Sequence, residues 1–207
     1  MIIGVSGKAG AGKDTVCKMI AYTIWYHTSK PKFRDYGIEH YLEVIYNYED
    51  MLKEIEYEHK AFASNMKLCL SNILNVPVNK FEDQDYKSSI IDWIKIDDHN
   101  PTVRELLQKF GTAIRDGVCD DFWVQTCLGN ASEDCLISDV RFKSEAEGIK
   151  EIGGVLIRVN RDSAGAGNHI SEVELDDYIF NWTIDNNGTL EELLEKVRQF
   201  LIYFDLI

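Results

Sequence analysis

The segment at residues 2–15 reads IIGVSGKAGAGKDT. Its apolar start, residues 2–6, predicts a buried β-strand, and the helical periodicity that begins at residue 13 predicts an α-helix. The turn between them, residues 7–13, fits the pattern GxxxxGK, which forms a phosphate-binding loop where a strand precedes it and a helix follows. We therefore predict that the chain opens with the strand–loop–helix unit of an α/β domain.

The residue types in this loop suit the phosphates of a nucleotide. Glycines let successive backbone N–H groups turn toward phosphate oxygens, the start of the helix adds the positive end of its dipole, and Lys13 reaches the β- and γ-phosphates. The alternative is a glycine turn that only packs a helix against a sheet, and the position between strand and helix argues against it. The candidate nucleotide-binding residues are Gly7, Lys8, Ala9, Gly10, Ala11, Gly12, Lys13, Asp14 and Thr15.

The position after the lysine departs from the usual pattern. A serine or threonine normally stands there and binds Mg²⁺ through its hydroxyl group. Here Asp14 follows the lysine, and Thr15 comes one place later. The metal ligand is therefore either Asp14, directly or through water, or Thr15. A third interpretation gives Asp14 no metal and only a favourable position in the first turn of the helix.

Strand and helix patterns alternate toward the C-terminus. We predict strands at 135–138, 155–159 and 180–184, and helices at 144–152 and 189–203. Thr189 and Glu192 form a capping-box pattern at the start of the last helix. Because a helix separates consecutive strands, the strands are expected to pair in parallel. The predicted fold is α/β, a parallel sheet with helices on both faces.

The middle of the chain has weaker patterns. We predict a strand that ends near residues 62–63, helices at 65–74 and 102–116, and a further helix that begins near residue 120. Residues 79–101 look irregular, and a helical segment is inserted around residues 39–57. With 207 residues and no linker, the chain is expected to form one domain over residues 1–207.

Charge and cysteine content limit the function classes. A net charge of −13 repels a polyanionic backbone, which argues against stable nucleic-acid binding but permits a small anionic substrate in a local positive pocket. The five cysteines are odd in number and form no CxxC pair, so we expect reduced, buried thiols. An apolar strand at the N-terminus leaves no room for a signal peptide, and no run reaches membrane-spanning length. We expect a cytoplasmic protein.

Several motifs along the chain resemble those of one family. They are GKDT at 12–15, FASNMK at 62–67, FEDQ at 81–84, TVRELLQKFGT at 102–112, DVRF at 139–142 with EA at 145–146, HISE at 169–172, and DNNGT at 185–189. Together they resemble the deoxynucleoside monophosphate kinases of the bacteriophage type, in order and over nearly the whole chain. Lys143 and Ser144 depart from the Pro and Asn that this family more often has, and residues 39–57 match nothing in it.

The resemblance implies a fold, a reaction and cofactors. The fold would be adenylate-kinase-like, and the reaction would convert a dNMP into a dNDP for nucleotide biosynthesis, with ATP and Mg²⁺ as cofactors. The sequence leaves open the base, the choice between deoxyribose and ribose, and the oligomeric state, for which a homodimer is one alternative.

Phosphoryl transfer between nucleotides needs alignment and charge neutralisation more than a general base. Arg141 follows Asp139 at the carboxyl end of a predicted strand, the edge where open α/β sheets bind ligands, so we assign Arg141 to phosphate. A surface ion pair is the alternative. Asp139 either orients magnesium-bound water or holds Arg141. With Lys13, these are the catalytic candidates.

The resemblance also implies substrate-binding residues, namely Lys67, Arg104, Arg141 and Glu145. Lys67 would neutralise a substrate phosphate, although a solvated helical lysine is the commoner arrangement. Arg104 is either a phosphate clamp or an exposed arginine paired with an acidic residue. Phe81 and Trp93 are candidates for stacking on a base because their surroundings look irregular.

Residues 161–168, RDSAGAGN, are mostly small and bury little apolar surface. Because a kinase must exclude water from ATP, we predict that this segment is a lid that delivers Arg158 or Arg161 to the nucleotide. The alternative is an ordinary surface loop.

Two other functions remain open. One is a P-loop kinase of another small phosphorylated acceptor, of the phosphomevalonate or dephospho-coenzyme A type. The other is a nucleotide-binding switch that hydrolyses ATP slowly and has no acceptor site. A panel of acceptors supplied with ATP separates all three.

Overall fold

A computed structural model describes residues 1–29, 37–165 and 170–207 of the chain, except for the side chain of Glu172. These residues form two compact units. Unit 1 contains Met1–Ala61 and Asn130–Ile207, and unit 2 contains Phe62–Gly129. The prediction of a single domain over residues 1–207 stays a prediction.

Unit 1 is built on a five-stranded sheet. Its strands are β1 Ile2–Ser6, β2 Glu58–Lys60, β3 Cys135–Val140, β4 Val155–Asn160 and β5 Trp182–Asp185. They lie in the order β2-β3-β1-β4-β5, and every neighbouring pair is parallel. The predicted α/β fold with a parallel sheet is confirmed.

The described residues form ten α-helices and two short 3₁₀ helices. They are α1 Lys13–Ser29, α2 Ile38–Val44, α3 Tyr48–Glu54, α4 Ala63–Leu74, α5 Gln84–Ser88, α6 Val103–Gly117, α7 Phe122–Leu128, α8 Lys143–Glu151, α9 Ile170–Val173 and α10 Leu190–Tyr203, with 3₁₀ helices at Ile45–Asn47 and Val78–Glu82. Helices α2 and α3 occupy the stretch for which an inserted helical segment is predicted.

Helices cover both faces of the sheet in unit 1. Val5 and Ile157 are fully buried in the main core, to which α1 and α10 contribute most of the helical side chains. Successive strand residues point to opposite faces, so Gly4 faces the other side. There a Cβ on Gly4 would lie 2.6 Å from Ile149 of α8. The absent side chain thus lets α8 pack closely on β1.

Several strand boundaries in unit 1 differ from the predicted ones. Strand β3 extends to Val140, two residues past its predicted end, and β4 and β5 each end one residue later than predicted. Strand β2 ends at Lys60, which pairs with Ile137, rather than near residues 62–63.

Strand β5 begins at Trp182, two residues later than predicted, and Asn181 before it bonds to Leu156 of β4 through both its backbone and its side chain. The backbone N–H of Asn181 donates to the carbonyl oxygen of Leu156 at 3.1 Å. Asn181 Oδ1 accepts the N–H of Leu156 at 2.9 Å.

Unit 2 is helical and has its own small core. Its buried members are Leu70, Phe81, Ile91, Val103 and Leu107. Thr102 caps the start of α6, since its Oγ1 accepts the N–H of Glu105 at 3.1 Å. Phe81 is 0% exposed, so its interpretation as a base-stacking residue is wrong. Trp93 is 65% exposed, and its role stays a prediction.

Part of the stretch predicted to be irregular, residues 79–101, is helical. It contains most of the second 3₁₀ helix and all of α5. Asp83 caps α5, because its Oδ1 accepts the N–H groups of Asp85 at 2.9 Å and Tyr86 at 3.2 Å. So short a helix has no visible periodicity in the sequence.

All five cysteines are free thiols, but not all of them are buried. Cys17, Cys127 and Cys135 are buried, as predicted, whereas Cys69 and Cys119 are exposed, which corrects the prediction. Burial raises the pKa of the Cys17 thiol, and it raises the pKa of Cys135 to about 11. In the described part of the chain, no helix has the length and apolar character needed to span a membrane.

Candidate functional site

The loop at residues 7–12 turns where the sequence predicts, between β1 and α1. Gly12 has φ +97°, a conformation that disfavours any residue with a Cβ. A methyl group there would overlap the side-chain amide of Asn186. Gly7 has a different restriction, because its Cβ would lie 2.6 Å from the carbonyl oxygen of Val159. Both positions therefore require glycine for the loop to keep its shape.

Lys13 is folded into the loop. Its side-chain Nζ donates hydrogen bonds to the carbonyl oxygens of Gly7 at 2.7 Å and Lys8 at 3.0 Å. The residue is only 9% exposed. The backbone closes around it, with the N–H of Ala11 bonded to the Lys8 carbonyl at 3.1 Å. A phosphate that binds in the loop would therefore meet an ammonium group that is already held in place.

Asp139 and Arg141 lie at the carboxyl edge of the sheet, next to β1. Strand β3 ends at Val140, which is in register with Ser6 of β1. Glu145 is 6% exposed, and its Oε2 accepts the backbone N–H groups of Arg141 at 2.7 Å and Phe142 at 3.0 Å. The carboxylate thus fixes the backbone that carries Arg141, which makes Glu145 a positioning residue in this geometry.

Arg158 belongs to a polar network beside the loop. Its NH2 forms an ion pair with Asp176 at 2.7 Å, and its NH1 donates to Ser6 Oγ at 3.2 Å. Lys8 of the loop also pairs with Asp176, at 3.1 Å. No pattern in the sequence distinguishes Asp176, which is one of 35 acidic residues in the chain.

A pocket of about 390 Å³ adjoins this network. Its lining residues are Lys8, Ala11, Arg158, Val159, Asn160, Arg161, Asp162, Ala164, Asp176, Tyr178, Phe180 and Thr183. Both arginines predicted to contact the nucleotide are among them. The pocket therefore joins the loop to the carboxyl end of β4 and to Thr183 of β5.

The predicted lid begins at Arg161 and is described as far as Gly165. The N–H of Gly165 donates to the carbonyl oxygen of Ala9 at 3.1 Å, so this end of the segment pairs with the phosphate loop. Residues 166–168 of the predicted lid, and His169 after it, lie outside the described residues. The lid stays a prediction.

Asn186 is a site residue that the sequence reasoning missed. Its Nδ2 donates to the carbonyl oxygen of Ala11 at 2.9 Å and ties the segment after β5 to the phosphate loop. The only signal for it in the sequence is its place in the motif DNNGT at residues 185–189.

The metal candidates lie in the first turn of α1. Asp14 is exposed and Thr15 is partly buried. Among the residues that the structure describes, no three His, Cys, Asp or Glu side chains form a group that could hold a metal ion. Mg²⁺ commonly binds through one or two carboxylates together with substrate phosphates and water. Asp14 fits that mode, since its carboxylate is accessible next to Lys13.

Two predicted substrate-binding residues belong to unit 2. Lys67 of α4 pairs with Glu82 at 2.7 Å, and Arg104 of α6 donates to Gln84 Oε1 at 2.9 Å. Both side chains thus have polar partners within their own unit. Their assignment to substrate stays a prediction.

The parallel sheet, the glycine loop at its carboxyl edge and the helix that follows define an α/β protein with a phosphate-loop architecture. The family model described as deoxynucleotide monophosphate kinase matches residues 32–197. The chain belongs to the deoxynucleotide monophosphate kinase family, which confirms the resemblance seen in the sequence motifs.

A curated relative agrees with this assignment. A protein of Acanthamoeba polyphaga mimivirus, named "Putative deoxynucleotide monophosphate kinase", is 32% identical over 114 residues. The aligned part covers 46% of this chain and 59% of the mimivirus protein. The phosphate loop at residues 7–13 precedes the range of the family match, so the loop supports nucleotide binding independently of that match.

Proposed function

We propose that this protein transfers the γ-phosphoryl group of ATP to the phosphate of a deoxynucleoside monophosphate. One observation carries the proposal: a phosphate loop with a held lysine lies at the same sheet edge as Asp139 and Arg141. In the reaction, an acceptor phosphate oxygen forms a bond to the γ-phosphorus while the bond to the β,γ-bridging oxygen breaks. The products are a deoxynucleoside diphosphate and ADP.

The donor side rests on the phosphate loop. Its backbone N–H groups and Lys13 would bind the β- and γ-phosphates, and Arg158 and Arg161 would add positive charge from the adjoining pocket. Mg²⁺ would neutralise the charge on the transferring phosphoryl group, held by substrate phosphates and by Asp14 or Thr15.

The acceptor side rests on arginine chemistry. A planar guanidinium binds two phosphate oxygens at once, and Arg141 has a backbone fixed by the buried Glu145. We assign Arg141 to the transferring or accepting phosphate, with Asp139 beside it. Lys67 and Arg104 are proposed as further acceptor contacts on the strength of the family resemblance.

A coupled assay of ADP release tests the proposal. The protein receives Mg²⁺–ATP with each dNMP, each ribonucleotide NMP, phosphomevalonate, dephospho-coenzyme A or no acceptor. We expect release that depends on a dNMP. ADP release that depends only on another acceptor would identify that acceptor as the substrate instead of a dNMP. ADP release without any acceptor would favour the nucleotide-binding switch.

A second assay locates the metal ligand. The Mg²⁺ requirement for transfer should rise in Asp14→Asn if the carboxylate helps to hold the ion, and in Thr15→Val if the hydroxyl group does. An unchanged requirement in both variants would leave the ion to substrate phosphates and water.

A further inference from the structure

Asp176 joins two cations that come from distant parts of the chain. Its carboxylate lies 3.1 Å from Nζ of Lys8 and 2.7 Å from NH2 of Arg158. Lys8 is the second residue of the phosphate loop, and Arg158 lies on β4. One carboxylate therefore forms ion pairs with two positive groups at or beside the loop.

Arg158 has supports besides Asp176. Its NH1 donates to the hydroxyl group of Ser6, and its guanidinium lies over the ring of Phe180, 5.6 Å from the centroid. The side chain is only 13% exposed. The Asp176 side chain, in contrast, is 37% exposed. Arg158 is therefore more buried and has more contacts than Asp176. When a ligand binds, Asp176 is the member of the network that can move more easily.

The charge of the surrounding pocket is unusual for this chain. Lys8, Arg158 and Arg161 line the pocket with positive charge, opposed by Asp162 and Asp176. The lining thus has a small positive surplus within a chain of net charge −13. Without the Asp176 carboxylate, three cations would oppose a single anion. Such a pocket selects an anionic ligand.

We propose that Asp176 is the resting counter-ion of a phosphate subsite formed by Lys8 and Arg158. An incoming nucleotide phosphate takes its place at these two cations. The two anions compete because they need the same nitrogen atoms and repel each other at that distance. The subsite deepens the proposed function and rests on it, since it assigns these cations to a nucleotide phosphate.

The exchange makes the pocket selective. A free phosphate or pyrophosphate must displace Asp176 using only the contacts that its own phosphate groups make. A nucleotide also brings a base and a sugar, whose contacts with the protein add to its binding free energy, so it displaces the carboxylate more readily. Asp176 thereby lowers the affinity for small anions that would otherwise occupy the loop.

Asp176→Asn tests the exchange, with Asp177→Asn as the matched control. Asp177 is adjacent and exposed, and it makes no ion pair with any described residue, so its variant removes the same charge without the contacts. Calorimetry at fixed ionic strength measures Kd for pyrophosphate, Mg²⁺–ATP and dAMP. In Asp176→Asn, pyrophosphate no longer has to break two ion pairs in order to bind. Because partly exposed ion pairs contribute little free energy, its binding should tighten by only roughly 2- to 30-fold. The control should stay within about twofold.

A double-mutant cycle assigns the effect to the ion pair. Lys8→Gln alone should weaken binding, and Asp176→Asn should tighten it less in that background, because one of its two partners is gone. Comparing Mg²⁺–ATP with dAMP shows whether the donor or the acceptor phosphate uses the subsite. Thermal melting checks that each variant is folded.

The outcomes separate this inference from the proposed function. Unchanged or weaker binding in Asp176→Asn overturns the counter-ion role, and weaker binding would make Asp176 a support for the two cations. Tighter binding in a protein that transfers no phosphoryl group overturns the proposed function alone. Absence of phosphate binding in every variant overturns both.

Discussion

Gly12→Ala tests how closely the phosphate loop depends on its glycine. Gly12 has φ +97°, and a side chain in this left-handed region costs about 1–2 kcal/mol. The added methyl group would also overlap the side-chain amide of Asn186 and break its 2.9 Å bond to the Ala11 carbonyl, at about 1 kcal/mol. We expect the free energy of unfolding to fall by about 2–3 kcal/mol.

Two controls separate these contributions. Gly10 has φ +81°, and no atom lies within 4 Å of the Cβ that Gly10→Ala would add. This variant therefore isolates the backbone strain, about 1–2 kcal/mol. Asn186→Ala isolates the lost hydrogen bond, about 1 kcal/mol. In the double variant Gly12→Ala/Asn186→Ala, the amide that the methyl group would overlap is absent. The loss in its free energy of unfolding should therefore be about 1 kcal/mol smaller than the sum of the losses in the two single variants.

Urea unfolding of the nucleotide-free protein, followed by tryptophan fluorescence, measures these differences. Calorimetric binding of Mg²⁺–ATP by the same variants should weaken most in Gly12→Ala. Equal destabilisation by Gly12→Ala and Gly10→Ala, together with additive effects in the double variant, would refute the contact with Asn186.

Three further outcomes follow from the same geometry. Lys13→Ala should lower phosphoryl transfer by roughly 10²- to 10³-fold, because the ammonium group stabilises the charge that develops on the phosphate. Circular dichroism checks that the variant is folded. Near-normal turnover in the folded variant would contradict the assignment of the loop. Arg141→Lys should lower transfer by roughly 10- to 100-fold, since one ammonium cannot replace two parallel hydrogen bonds, whereas Arg198→Lys on the surface of α10 should leave it unchanged. His59 of β2 has a buried Nε2 with no hydrogen-bond partner among the described residues, and burial lowers the pKa of this imidazole. The unfolded chain therefore binds a proton near pH 6.5 that the folded chain does not, so the free energy of unfolding should fall as the pH drops from 7.5 to 5.5. The rings of His59 and Tyr48 have centroids 5.6 Å apart, and His59→Phe keeps an aromatic ring in this position. Its free energy of unfolding, measured in urea, should fall less between the two pH values. An equal fall would assign the titration to another group.

Local signals in the sequence predicted the elements that hold the site. The apolar run before the glycine loop predicts β1, and the loop itself predicts the start of α1. At the last helix, Thr189 Oγ1 accepts the N–H of Glu192 and the Glu192 side chain accepts the N–H of Thr189, as the capping-box pattern predicts. These features depend on residues within a few positions of one another, so a sequence window contains the whole interaction.

Tertiary structure decided which groups surround the loop. The bond between Asn186 and Ala11 spans 175 positions, and the bond between Arg158 and Ser6 spans 152. Asp176 reaches Lys8 in the same long-range manner, and nothing in its neighbouring residues distinguishes it from other aspartates. The burial of Phe81 is likewise set by partners on other helices of unit 2. A pattern of neighbours can specify a strand, a turn or a cap, but the partners of a polar side chain depend on the register of a parallel sheet, which only the folded chain establishes.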